Sequence, residues 1–133
     1  MYSFSTQLTG NLQEIEEKVV DALKQEGFGV LTEIDVQATL KKKLGIDRRA
    51  YRILGACNPS LAHQALDAEP DIGLLLPCNV VLREEPDGAI TVAFMDPEAV
   101  LSLVDQKGIA DLAKDVRSRL ERVRQAVDAA FSA

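Results

Sequence analysis

The side chains in this sequence with most capacity for chemistry are two cysteines, each followed directly by an asparagine. Cys57 precedes Asn58, and Cys78 precedes Asn79. A thiolate is a nucleophile, and an amide both donates and accepts hydrogen bonds. If the fold brings the two pairs together, these four groups would line one small polar site.

Cys57 is predicted to lie where a strand meets a helix. Residues 53–56 before it are apolar, Asn58 is a favoured N-cap, and Pro59 suits the first helical position. Unpaired N–H groups at a helix start favour a thiolate, which makes Cys57 the candidate nucleophile of a thiol-dependent enzyme or redox sensor. The alternative is that both cysteines are small buried apolar residues and that Asn58 only caps a helix.

Other catalytic or metal-binding patterns are weak. His63 is the single histidine, and we expect it to be a solvated helix residue rather than a proton carrier for Cys57. Two cysteines, one histidine and scattered acids form no recognisable zinc set, and no phosphate-binding glycine loop is present. We therefore predict neither a metal nor a cofactor.

The charge distribution limits the partners. A net charge of −6 disfavours binding to nucleic acids and to anionic membranes. Residues 41–52 nevertheless form a local basic patch. It contains one acid, Asp47, and six bases: Lys41, Lys42, Lys43, Arg48, Arg49 and Arg52. The patch is either solvated surface or, as the weaker functional alternative, a site for an anion or nucleotide.

The cellular location follows from what the sequence does not contain. The chain opens without a basic run and apolar stretch of the kind that forms a signal peptide, and no segment is apolar enough for a membrane span. Two cysteines in a chain without a secretion signal are expected to be free thiols. These features predict a cytoplasmic protein.

Apolar periodicity and turn residues predict the order of the elements. Alternating strands and helices over residues 2–66 lead to a hairpin over 78–94, whose turn is at 85–88, and then to two helices. This order predicts a two-layer α+β fold with about five mostly antiparallel strands and helices on one face. Composition and length predict one domain over residues 1–133.

The third predicted strand, about residues 50–57, is apolar on both faces. Such a strand is covered twice, or is covered once by helices and once by a partner subunit. This pattern favours a homodimer. Gly55 within the strand predicts a bulge or the close approach of another backbone segment.

Several segments together resemble the family called domain of unknown function 302. They are the segment from Tyr51 to Pro59, the segment from Gly73 to Val80, the pair Asp96-Pro97 and the segment from Val36 to Gly45. The resemblance spans nearly the whole chain. It implies a small two-layer α+β fold in a bacterial or archaeal cytoplasmic protein that forms a homodimer, and it implies no established reaction, cofactor or catalytic residue.

The function predicted from these observations is that of a homodimeric binding or accessory domain. The candidate small-molecule pocket is lined by Tyr51, Cys57, Asn58, Cys78 and Asn79. Use of Cys57 in a thiol enzyme or redox sensor is the alternative, and an enzyme is the less favoured class.

Overall fold

A computed structural model of the chain describes residues 1–131 and contains one five-stranded sheet and five α-helices. The strands are β1 (Ser3–Leu8), β2 (Gly29–Asp35), β3 (Tyr51–Cys57), β4 (Cys78–Glu84) and β5 (Ile90–Met95). The helices are α1 (Leu12–Gln25), α2 (Val36–Leu44), α3 (Pro59–Ala68), α4 (Pro97–Leu101) and α5 (Lys107–Phe131), and a 3₁₀ helix spans Pro70–Leu75. The last two positions of the domain predicted over 1–133 lie outside the described residues.

The sheet is antiparallel throughout, with the strand order β1-β5-β4-β3-β2. The predicted hairpin of β4 and β5 is present, and Gly88 in its turn has a φ of +90°, a conformation that side chains rarely adopt. The helices pack on the sheet to give an α+β fold, which confirms the predicted fold class. The strand order itself was not predicted, because hydrophobic patterns do not identify which strands are neighbours.

Four helices begin after a residue of a type that favours the N-cap position, as predicted for Asn58. The carboxylate or amide oxygens of Asn11, Asp35, Asn58 and Asp96 accept backbone N–H groups of the first turns at 2.9 to 3.2 Å. These bonds satisfy N–H groups that have no partner within the helix. Local sequence therefore determines the strand-to-helix junctions.

The main core lies between one face of the sheet and helices α1 and α5. Leu54, Val80, Leu82, Val92 and Phe94 are the central strand residues in this core, and each is almost completely buried. They contact the apolar faces of α1 and α5, whose buried residues recur every three or four positions. A smaller core of Ala65, Ile72, Leu101, Ile109 and Ala113 lies beside it and involves α3, the 3₁₀ helix, α4 and the first turns of α5.

Two local predictions are wrong. The spacing of Val100, Leu101 and Leu103 predicts a helix that includes Leu103, but α4 ends at Leu101 and Leu103 is 77% exposed. Gly108 is expected from its residue type to interrupt that helix, yet it lies in the first turn of α5. The apolar residues of α2 repeat every four positions, but none of them is buried, because α2 extends from the edge strand β2.

Strand β3 is next to the edge strand, and helices cover only one of its faces. The opposite face of the sheet, called here the open face, carries a row of apolar side chains across four strands: Ile34, Ile53, Val81 and Ala93. These residues are partly exposed, and Ile34 is 48% exposed. Among residues 1–131, no helix is long and apolar enough to cross a membrane.

Candidate functional site

An apolar cavity of about 300 Å³ opens where β3 passes into α3 and where the 3₁₀ helix passes into β4. Residues of α5, α4 and the loop before β2 complete its walls. Its lining residues are Phe28, Leu31, Ala56, Cys57, Asn58, Leu61, Ala62, Ala65, Leu66, Gly73, Leu76, Pro77, Cys78, Leu101, Leu112 and Val116. Apart from two thiols and one amide, every lining side chain is a hydrocarbon or glycine. The cavity can therefore accept an apolar group by burial, while it offers few directional contacts.

A β-bulge shapes one side of the cavity. Val30 of β2 pairs with Ala56, and Thr32 pairs with the adjacent Gly55, so Leu31 is the extra residue of β2. Leu31 lines the cavity and is 67% exposed. The bulge therefore places Leu31, an exposed leucine, at the cavity wall.

Gly55 permits the close approach that the bulge needs. A Cβ atom at this position would lie 2.3 Å from Oγ1 of Thr32 and 2.9 Å from Cγ of Pro77. Only glycine fits between these two neighbours without a shift. The predicted bulge is present, although it lies in β2 opposite Gly55, whereas the close approach is made by the side chains of Thr32 and Pro77 and not by a backbone segment.

The five predicted site residues fall into two groups. Cys57, Asn58 and Cys78 line the apolar cavity. Tyr51 and Asn79 instead line a hollow of about 290 Å³ on the open face. Strand alternation separates Asn79 from Cys78, because the two residues are consecutive in β4 and their side chains point to opposite faces.

The amide of Asn58 is already used by the fold. Its Oδ1 accepts the backbone N–H of Leu61 at 3.2 Å, and its Nδ2 donates to the backbone carbonyl of Glu26 at 3.5 Å. The Arg119 guanidinium donates to the same carbonyl at 3.0 Å. Asn58 therefore joins the start of α3 to the end of α1, and it contributes stability to the wall rather than a free polar group.

The two thiols are free and neutral. Burial raises the pKa of the Cys57 thiol. Burial, and to a smaller extent the nearby Cys57, raises the pKa of Cys78 to about 11. The sequence predicted the opposite direction for Cys57 from its position before a helix. Desolvation disfavours the charged form, and in this apolar setting it is the larger influence.

The basic patch at 41–52 is divided by the fold. Lys41 pairs with Asp47 at 2.8 Å, and Arg52 pairs with Glu16 at 3.0 Å on the side of the sheet that the helices cover. Arg48 lies over the ring of Tyr51, with 5.2 Å between the guanidinium carbon and the ring centroid. A hollow of about 310 Å³ beside the patch is lined by three arginines and three acids: Arg48, Arg49, Arg83, Asp47, Glu84 and Glu85. The walls of this hollow therefore carry no excess charge.

His63 is not among the residues that line the cavity. His63 is on the exposed side of α3, where its Nε2 lies 3.6 Å from Asp67, in agreement with the predicted solvated position. Within residues 1–131, no three His, Cys, Asp or Glu side chains are placed to hold a metal ion together.

The apolar lining residues were missed as site residues by sequence reasoning. Their spacing in the sequence indicates core positions of strands and helices. These residues are Phe28, Leu61, Ala62, Leu112 and Val116. An apolar residue that lines a cavity has the same pattern in sequence as one that fills a core. The exposed Leu31 offered one signal, since it alternates with the charged residues Glu33 and Asp35 along β2.

An open antiparallel sheet with helices on one face and an apolar cavity at one end defines this chain as a small α+β protein. The family model described as domain of unknown function DUF302 matches residues 4–127, and the chain belongs to this family. A similar solved structure is the crystal structure of an uncharacterized conserved DUF302 protein from Bacillus stearothermophilus. It shares 28% sequence identity over 96% of this chain and 98% of that chain, with a TM-score of 0.88. No match was found among curated proteins.

Proposed function

We propose that this protein is a binding domain whose ligand is a small molecule with an apolar body. The observation that carries the proposal is the cavity of about 300 Å³ beside α3, whose lining is almost entirely hydrocarbon. Its volume is at the lower end of the range for ligand pockets, ~300–1,000 Å³. Burial of apolar ligand surface would supply the binding free energy.

The raised pKa values of the two cysteines favour binding over thiol catalysis. A nucleophilic cysteine needs a low pKa, usually provided by a nearby base or cation. Burial raises the pKa of both thiols here, and His63 is paired with Asp67 on the exposed side of α3. The thiols serve as apolar wall residues of the binding cavity.

The test is to fill the cavity. Ala62 lines it from α3, and in the Ala62→Leu variant the added side chain would occupy ligand volume. We expect this variant to bind a neutral solvatochromic dye such as Nile red at least ~10-fold more weakly than the wild type, since each excluded methylene removes ~0.8 kcal/mol of burial. Dye fluorescence titration measures the affinity.

A matched control is available on the same helix. Ala68, the last residue of α3, is exposed and is not among the lining residues, so Ala68→Leu makes the same chemical change outside the cavity. It should leave dye affinity unchanged. Equal dye binding by the wild type and the Ala62→Leu variant would contradict the proposal.

We also propose a homodimer that joins two copies through their open faces. The support is the row Ile34, Ile53, Val81 and Ala93, which leaves apolar side chains partly exposed across four strands. Five strands spaced ~4.8 Å apart and ~20 Å long give ~480 Å² per copy, and ~960 Å² in total, from strand geometry alone. This approaches the ~1,000 Å² expected of a specific interface.

A cytoplasmic location is part of the same proposal. Both cysteines are free, and thiols stay reduced in that compartment. A reduced pair also keeps the cavity wall apolar.

A further inference from the structure

We propose that Cys57 and Cys78 together bind trivalent organoarsenicals, molecules in which an apolar group is attached to an arsenic atom that bonds to two sulfurs. The inference rests on the proposed function and deepens it, because it names the class of apolar ligand. Two observations carry it: both thiols line the same cavity, and the side chains around them are almost entirely hydrocarbon.

The register of β3 and β4 brings the two cysteines together. Ala56 of β3 pairs with Cys78 of β4, and Cys57 is the next residue along β3. Paired Cα atoms of antiparallel strands lie ~4.5–5.5 Å apart, and each residue advances ~3.4 Å, so the Cα atoms of Cys57 and Cys78 are roughly 6 Å apart. Two cysteines at this separation are close enough even for a direct S–S bond, which needs ~4.4–6.8 Å.

Both thiols line the cavity at the end of β3. In a regular strand pair, Cys57 would face away from Cys78, since successive side chains alternate between the two faces. The chain turns at this point from β3 into α3, and Cys57 lines the same cavity as Cys78. The pKa of Cys78 is raised by burial and also by Cys57, so the two thiols interact. These contacts favour a ligand atom that bonds to both sulfurs.

The bridging reaction suits two neutral thiols. An arsenoxide, R–As=O, condenses with two S–H groups: two As–S bonds form, the As=O bond and both S–H bonds break, and the oxygen leaves with both hydrogens as one water. Arsenic stays trivalent, so the step needs neither an oxidant nor a reductant. Reactants and product are uncharged, and an uncharged product can remain among hydrocarbon side chains without the cost of burying an ion.

Metal ions fit the same pair of thiols less well. Cu(I) between two thiolates would leave one net negative charge inside the apolar cavity, which is costly. Zn²⁺ takes four ligands in structural sites, and in the described part of the chain no imidazole or carboxylate lines this cavity. An apolar group on the arsenic is in addition buried against wall residues such as Leu61 and Leu112.

The two sulfurs differ in their access to solvent. Cys57 is partly exposed, whereas Cys78 is only 7% exposed. The ligand should therefore bond first to Cys57, and the second bond, to Cys78, then forms within one molecule. An intramolecular second bond raises the apparent affinity by ~10²–10⁴-fold over that of a single thiol.

Phenylarsine oxide tests the thiol pair directly. We expect the wild type to bind one equivalent as the bridged adduct, which native mass spectrometry separates from a single-thiol adduct because the bridged form weighs one water less. In competition with glutathione, the wild type should retain the probe at least ~100-fold better than the Cys57→Ser variant. A single-thiol adduct in the wild type, or equal retention by the two proteins, would overturn the inference.

Cys78→Ala gives the complementary test, since it removes the buried sulfur and keeps an apolar wall. This variant should form only the single-thiol adduct. Nile red binding by both cysteine variants shows that the cavity is intact, and Cys57→Ser supplies the comparison if Cys78→Ala does not fold.

Inorganic arsenite is the control probe without an apolar group. The preference of the protein for phenylarsine oxide over arsenite should fall ~10-fold in the Ala62→Leu variant, where the added side chain takes the space of the phenyl ring. It should stay unchanged in Ala68→Leu, which lies outside the cavity. An unchanged preference in Ala62→Leu would overturn the burial of the apolar group.

The outcomes keep the inference apart from the proposed function. Nile red binding that Ala62→Leu weakens, without a bridged adduct in the wild type, would leave the apolar cavity as the binding site and remove the organoarsenical class. Failure of both the dye and phenylarsine oxide to bind would remove both.

Discussion

At the scale of single residues, the two cysteines show how environment determines chemistry. Cys78 is buried in the main core, Cys57 is partly buried, and both line the cavity. Hydrocarbon neighbours cannot stabilise a thiolate, so the neutral thiol is the favoured form in the folded protein. Both residues therefore resemble small apolar side chains in their effect on the fold.

The raised pKa of Cys78 predicts a loss of stability at alkaline pH. The unfolded thiol ionises near its ordinary pKa of 9.0, whereas the folded thiol stays neutral until about 11. The contribution is complete below pH 9 and is lost as the pH rises from about 9 to about 11, because ionisation then favours the unfolded chain. The loss amounts to up to ~3 kcal/mol in the free energy of unfolding.

Urea denaturation over this pH range measures the effect, with the Cys78→Ala variant as reference. The variant starts from a lower stability, since a buried side chain is truncated, but its stability should fall less steeply with pH. Other pH-dependent contributions are common to both proteins and cancel in the difference. Parallel curves for the two proteins would show that Cys78 does not titrate with a raised pKa.

At the scale of elements, the junction of β2, β3 and β4 creates the cavity wall. The bulge at Leu31 brings Thr32 over Gly55, and Pro77 approaches the same glycine from the start of β4. The missing side chain at Gly55 therefore lets three segments meet.

Replacement of this glycine tests the close approach. Gly55→Ala should destabilise the protein by ~1–3 kcal/mol, because the new Cβ overlaps Thr32 and Pro77 and forces both to move. Addition of Thr32→Ala removes the nearest overlapping atom and should restore part of the loss. Thermal and urea denaturation of both variants measures these changes.

Gly108 is a matched control for the same substitution. A Cβ atom there meets nothing within 4 Å, and the residue lies in the first turn of α5. Gly108→Ala should be neutral or should stabilise the protein by up to ~1 kcal/mol through reduced entropy of the unfolded chain. A Gly55→Ala variant as stable as the Gly108→Ala variant would contradict the proposed crowding.

At the scale of the whole molecule, the two faces of the sheet differ. Helices α1 and α5 bury one face, while the open face keeps the apolar row that includes Ile53 and Val81. The proposed dimer covers that row, and the cavity remains beside α3 at the end of the sheet. Binding and association would then use separate surfaces.

The Val81→Glu variant tests the dimer. Val81 is at the centre of the row, between Ile53 and Ala93, so its replacement would bury an unpaired carboxylate in each half of the interface. We expect the wild type to sediment as a dimer at micromolar concentration and the variant to dissociate at least ~100-fold more readily, about 3 kcal/mol. Analytical ultracentrifugation and native mass spectrometry report the change.

Gln7→Glu provides the control on the same face. Gln7 is exposed on the edge strand β1, where a carboxylate stays in contact with water, and its replacement should leave association unchanged. A wild type that is monomeric at these concentrations would contradict the dimer. Unchanged dye affinity in the Val81→Glu variant would show that the cavity does not depend on association.

The sequence by itself determined the local structure of this protein. N-caps such as Asn58 and Asp96, the turn at Gly88 and the stripe of α5 act over a few residues, so each could be read from spacing and residue type. A bulge at Gly55 was also among the predictions, and it lies opposite this residue in β2. The sequence further identified three of the residues that line the cavity, Cys57, Asn58 and Cys78.

Only the tertiary structure decided what those residues do. The strand order, the bulge at Leu31 and the separation of Tyr51 and Asn79 from the cavity depend on which distant segments pair. The pKa of Cys57 depends on how much hydrocarbon surrounds it, and that environment is assembled from segments far apart in the chain. Local patterns carry no information about such contacts, which is why a predicted polar thiol site became an apolar cavity.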